Sequence, residues 1–113
     1  MKNVVFCSAL AIAAFASFGV HAARVSFTGS VDRILVYSEF NNGDVLVRAG
    51  NTLASCASGL WLSAADPGLD RSLSVLVSAK LAASQVTYNV LTDQQWSGSS
   101  STTTCRIESI WLN

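Results

Sequence analysis

The chain has 113 residues, seven basic and seven acidic side chains, one histidine and three cysteines. That length leaves room for one modest core and excludes a multidomain machine. The balanced charge excludes the basic stripe that nucleic acid or an anionic membrane surface requires.

Residues 1–22 read as a secretory signal. Lys2 supplies the positive start, Val4 to Val20 form an uncharged run of apolar and small residues, and Val20-His21-Ala22 offers a small-x-Ala cleavage site. A retained anchor is the competing reading. The run is slightly short for a bilayer, and it is rich in Ala and Ser rather than Leu and Ile. Cys7 lies at the start of the apolar run, preceded only by Val4-Val5-Phe6, the wrong place for lipidation. The expected working protein is one domain, residues 23–113, periplasmic or secreted and free of the membrane once cleaved. Cleavage also removes Lys2, Cys7 and the only histidine, His21, so one excess negative charge remains.

Cys56 and Cys105 stay behind, and an even count in a small exported domain points to a disulfide. A reactive thiol pair is the alternative, but their spacing lacks the Cys-x-x-Cys arrangement that tunes redox thiols. Closing a loop of about 50 residues is worth about 4 kcal/mol in the chain-entropy model.

In chain order, the first extended segment runs from about Arg24 to Phe40, interrupted near Gly29, where a strand can bend or bulge. Ile34, Leu35, Val36 and Tyr37 are residues that strands favour. Asn42-Gly43 then separates them from Val45-Leu46-Val47, which predicts a hairpin with a type I′ turn, where both central residues need positive φ. Gly59 to Leu62 reads as a third strand. Asp66-Pro67-Gly68 follows, with Asp66 as N-cap and Pro67 in the first helical turn. Leu69, Leu73, Leu76, Val77 and Leu81 recur at helical spacing, so a helix is expected from about Pro67 to Ala83. Val86, Tyr88 and Val90 alternate with polar residues as in a half-buried strand, and a polar loop spans residues 92–104. Its Ser/Thr/Gly run 97–104 has nothing apolar to pack and reads as flexible. In the last strand, Cys105 to Leu112, the apolar phase slips by one residue, which predicts a β-bulge at Glu108 or Ser109.

The expected fold is mainly β with one helix, in the order β-β-β-α-β-β. That is the order of an OB-fold, a five-stranded barrel with its helix between strands three and four. An α+β open antiparallel sheet with one packed helix is the alternative. With Cys56, Gly59 and Trp61 before the helix, Val86-Thr87-Tyr88 after it and Cys105 opening the last strand, the layout resembles the OB-fold B subunits of subtilase-cytotoxin and pertussis-like toxins. That resemblance implies ring assembly and binding of cell-surface glycans, but no glycan-contacting residue carries over position by position. Cys-Ala-Ser-Gly-Leu-Trp-Leu, Asp-Pro-Gly and Trp-Ser-Gly also resemble a group of small exported bacterial proteins, a likeness that implies export and no particular activity.

Catalysis is thinly supplied. Without His21 there is no imidazole base near neutral pH, and no Ser–His or Cys–His nucleophile can be assembled. A Ser–Lys pair through Lys80 is formally available, but Lys80 falls in the helical stripe and reads as snorkelling. Of the carboxylates, Asp66 reads as a cap, Asp44 as a turn residue and Glu108 as a partner of Arg106. No enzyme, cofactor or metal site is expected. Trp61 and Trp111 lie among apolar strand residues and read as core or barrel edge. Trp96 sits in a polar stretch, Gln95-Trp96-Ser97, and in an OB-fold that loop stands beside the first hairpin turn, Asn41-Asn42-Gly43. Those two loops are where such folds take oligosaccharides. Trp96 with Gln95, Ser97, Asn41 and Asn42 is therefore the candidate ligand site; Trp96 as a lid folded over one barrel end is the alternative. The expected function is an exported, non-catalytic carbohydrate-binding module. The other class open to such a chain is an interaction subunit, assembling with itself or with an exported partner.

Overall fold

In the computed structural model, residues 24–113 are described, and the expected signal and its cleavage site lie outside them. The elements are β1 (Arg24–Gly29), β2 (Val31–Tyr37), β3 (Asp44–Ala49), β4 (Gly59–Leu62), α1 (Leu69–Ala82), β5 (Val86–Gln95) and β6 (Thr104–Leu112), with single 3-10 turns at Phe40–Asn42 and Ala54–Cys56. All strands form one six-stranded mixed sheet in the order β1-β5-β6-β4-β3-β2. Every pairing is antiparallel except that of β4 with β6.

Mainly β with one helix is the correct class. The closed five-stranded barrel is not formed, and the open alternative is mixed rather than wholly antiparallel. The long segment expected from Arg24 breaks at Ser30 into two strands that lie at opposite edges of the sheet. At the break Gly29 lets the Gly50 backbone approach closely, since a Cβ there would overlap the Gly50 carbonyl. The Ser30 carbonyl accepts from Gly50 N–H at 3.1 Å and from the Tyr88 hydroxyl at 3.0 Å, which pins the corner. Burial pushes the Tyr88 hydroxyl up to about 12.

The core follows the alternation in the strands. Val45 and Val47 of β3, Leu60 and Leu62 of β4, Val86, Tyr88 and Val90 of β5, and Ile107 of β6 are buried together, and Tyr88 stacks on Phe27 at 5.0 Å. Helix α1 covers them with Leu76 and Ala79, flanked by partly buried Leu69 and Leu73. Each large side chain removed from water here contributes about 1.5–3 kcal/mol against chain entropy. The expected apolar stripe was too wide, since Val77 and Leu81 face solvent and Leu81 is 84% exposed. Helix α1 also starts later than expected. Its N-cap is Gly68, and Asp66 lies in the preceding turn, accepting from Ser63 N–H at 3.0 Å and pairing with Arg106.

The disulfide joins Cys56 to Cys105, with Cα atoms 5.4 Å apart. It ties the approach to β4 to the start of β6, beside the parallel register Leu60↔Cys105. The expected bulge is present: Asn89 pairs with Ser109 and Val90 with Ile107, leaving Glu108 as the extra residue. Glu108 reaches Arg24 at 2.6 Å, not Arg106, because the bulge re-aims it toward β1. Trp111 is not core. It lies on the outer face opposite Thr87 and is 53% exposed.

Candidate functional site

The β2–β3 hairpin forms, but its turn lies one residue earlier than Asn42-Gly43. Asn41 (φ 51°) and Asn42 (φ 66°) are the central pair, closed by Gly43 N–H to the Phe40 carbonyl at 3.0 Å. Asparagine tolerates this left-handed geometry better than other residues bearing a Cβ. Tyr37 pairs with Asp44, so residues 38–43 make a wider connection than a two-residue turn.

That connection meets the loop between β5 and β6. Asn41 Nδ2 donates to Ser97 Oγ at 3.1 Å and to Asp44 Oδ2 at 3.0 Å. Trp96 folds into the junction. It is 7% exposed, its indole N–H donates to Asp44 Oδ2 at 3.0 Å, and its ring packs against Tyr37 (5.2 Å) and edge-on against Phe40 (5.6 Å). Gly98 lies against that ring so closely that a Cβ would collide with it. The Trp96 ring is therefore enclosed, and the exposed aromatic surface beside it belongs to Tyr37 and Phe40.

Asp44 is the hub. It is 1% exposed and accepts from Ala64 N–H at 3.0 Å as well as from Asn41 and Trp96. Burial alone would raise its pKa. The three donated hydrogen bonds, with the field of Arg106, outweigh burial and hold the carboxyl below its ordinary 3.8.

Beneath the two loops lies the outer face of β3. Alternation sends Asp44, Leu46 and Arg48 to this face while Val45 and Val47 go to the core. A cleft of about 400 Å³ opens here, lined by Arg48, Ser58, Trp96, Ser99, Ser101 and Thr104 among others. Its hydroxyls form a chain: Ser58 with Thr103 at 2.7 Å, Ser101 to Ser58 at 3.1 Å, and Ser99 with Ser101 at 3.0 Å. The run expected to be flexible is thus tied at both ends, and Thr104 is buried at the start of β6.

Of the residues expected at the site, Trp96, Ser97 and Asn41 come together, and exposed Asn42 stands beside them. Gln95 supports the base of the loop instead, donating to the Thr92 carbonyl at 2.8 Å and accepting from Thr104 N–H at 2.7 Å. Arg48, Ser58, Ser99 and Ser101 were not among the expected residues. The hydroxyl-rich composition of 97–104 was the available signal, because serine and threonine side chains order loops through local bonds.

A second cleft, of about 320 Å³, lies between the start of α1 and β6. Its guanidinium is already engaged. Arg106 pairs with Asp66, donates to Gln94 Oε1 at 3.0 Å, and lies over the Trp61 ring at 5.1 Å. Trp61 in turn donates to the Gln94 carbonyl at 3.0 Å, so this group braces β4, β5 and β6 together. Among the described residues, no group of His, Cys, Asp and Glu is placed to hold a metal ion, and no helix is long and apolar enough to cross a membrane. No family model matches the chain, and neither the curated proteins nor the solved structures yield a match.

Proposed function

We propose that the protein is an exported, non-catalytic binding module for carbohydrate. The observation that carries this reading is the cleft between the outer face of β3 and loop 96–103, which presents a chain of hydroxyls beside the Trp96 ring, with Tyr37 and Phe40 packed on that ring. Sugars are bound by that combination, hydroxyls exchanging hydrogen bonds with hydroxyls while the apolar face of the sugar ring lies on an aromatic face. The side chains forming the cleft are fixed by one another, so ordering them costs little on binding.

The arrangement also supports an OB-type reading of the fold. Taken as one strand bent at Ser30, β1 and β2 pair through their two halves with β5 and β3. Counted so, the strands have the connectivity of a partly open five-stranded Greek-key barrel, with α1 between the third and fourth. On that count the cleft lies against the second strand and the loop joining the fourth and fifth, part of the surface that such folds use for oligosaccharides. Export accords with the disulfide and with the signal-like start of the chain.

A glycan array probed with the protein and with the double variant Ser58→Ala/Ser101→Ala tests the proposal. A selective profile for the parent, with apparent affinity falling about tenfold in the variant, is expected from two lost hydroxyl contacts. The same featureless profile for both proteins would remove the proposal.

A further inference from the structure

Arg33 and Arg48 are direct partners in the β2–β3 register, so their side chains leave the same face of the sheet. Both are exposed, and among the described residues neither pairs with a carboxylate. Together with Asp32 they line a recess of about 350 Å³. Asp32 forms no ion pair with either of them: its carboxylate accepts from the Ser30 hydroxyl at 2.6 Å and its carbonyl from Lys80 Nζ at 3.0 Å, so one negative charge stands against two positive ones in the recess. Like charges set directly opposite on antiparallel strands destabilise the pairing. In the isolated chain this arrangement is a cost without a visible return.

Arg48 lines the hydroxyl cleft as well as this recess. The two concavities therefore share one residue, Arg48, and a ligand lying along β3 would touch the serines first and the arginine pair next. Two guanidiniums carried by paired residues and lining one recess offer forked donors and two positive charges, which suit a planar or tetrahedral oxyanion.

We propose that Arg33 and Arg48 form an oxyanion subsite, so that the cleft selects glycans bearing a carboxylate or sulfate group. This inference rests on the carbohydrate reading above and narrows it. The anion would relieve the repulsion between the guanidiniums, while Ser58, Ser99 and Ser101 meet the neutral part of the sugar.

The test is a binding titration of the protein, Arg33→Gln and Arg48→Gln against four probes: a neutral oligosaccharide, a uronic-acid oligosaccharide, a sulfated oligosaccharide and a single-stranded oligonucleotide. One or both charged sugars should bind more tightly than the neutral one, and the preference should shrink as salt is raised. Each substitution should lower affinity for the charged sugar about tenfold, as loss of a charge-assisted contact does, and Arg33→Gln, which lies outside the hydroxyl cleft, should leave the neutral sugar unchanged. The carboxylated and sulfated probes show which oxyanion is preferred. Both variants should melt at or slightly above the parent, because a repulsion is removed; a clear loss of stability would overturn the premise that the pair is strained without its ligand. Equal binding of neutral and charged sugars would overturn the oxyanion subsite and leave the carbohydrate reading standing. Tightest binding of the oligonucleotide, or binding of no sugar, would overturn both.

Discussion

Asp44 shows how one side chain can organise a site that its neighbours in sequence do not reveal. Placed after Asn-Asn-Gly, it reads as a turn residue, and its donors stay hidden because Ala64 and Trp96 are distant in the chain. Trp96 is hidden for the same reason. Its local surroundings are polar, and the rings that enclose it come from Tyr37 and Phe40 across the sheet. Because the folded-state pKa of Asp44 is lowered, its ionised form contributes stability above the unfolded value of 3.8. That contribution is lost as pH falls through the folded value. Asp44→Asn should cost about 1–3 kcal/mol at neutral pH, since at least one of its three donors loses its acceptor. Denaturant titrations across the acid range should show a smaller loss of stability in the variant than in the parent. Parallel curves would show that Asp44 does not couple folding to protonation.

At the scale of elements, local chemistry was readable and mutual orientation was not. The strand alternation in Val86-Thr87-Tyr88, the slip at Glu108 and the pairing of Cys56 with Cys105 all follow from nearby residues or simple counting. The register of the first hairpin does not. A two-residue turn at Asn42-Gly43 would have set Arg33 opposite Thr52; the longer connection sets it opposite Arg48, which creates the guanidinium pair. Helix α1 was located by its period, but which side it buries depends on β2 and β6, against which it packs. Its C-terminal cap makes a separate prediction. Ala83 sits at φ 55°, and its N–H bonds to the Ala79 and Lys80 carbonyls. Glycine adopts that conformation without the Cβ clash, so Ala83→Gly should add about 0.5–1 kcal/mol. The denaturation midpoint should rise with an unchanged slope; a lower midpoint would mean that unfolded-chain entropy outweighs the relieved strain.

For the whole molecule, the open sheet and the cleft have a common origin in the corner at Gly29 and Ser30. Because the chain turns there, β2 leaves β1 and carries the first hairpin to the far edge of the sheet, where the loop after β5 meets it. The disulfide and the Trp61–Arg106 stack then hold β4, β5 and β6 firmly enough to present that loop. On the proposed reading, a ligand binds between β3 and the loop after β5. Amide-shift mapping by heteronuclear NMR, titrating the strongest array glycan into the protein, is the test. Shifts should concentrate at Arg33, Arg48, Ser58 and residues 97–101, with the outer face around Trp111 unmoved. Shifts centred on Trp111 and Thr87, or none at saturating sugar, would contradict the claim.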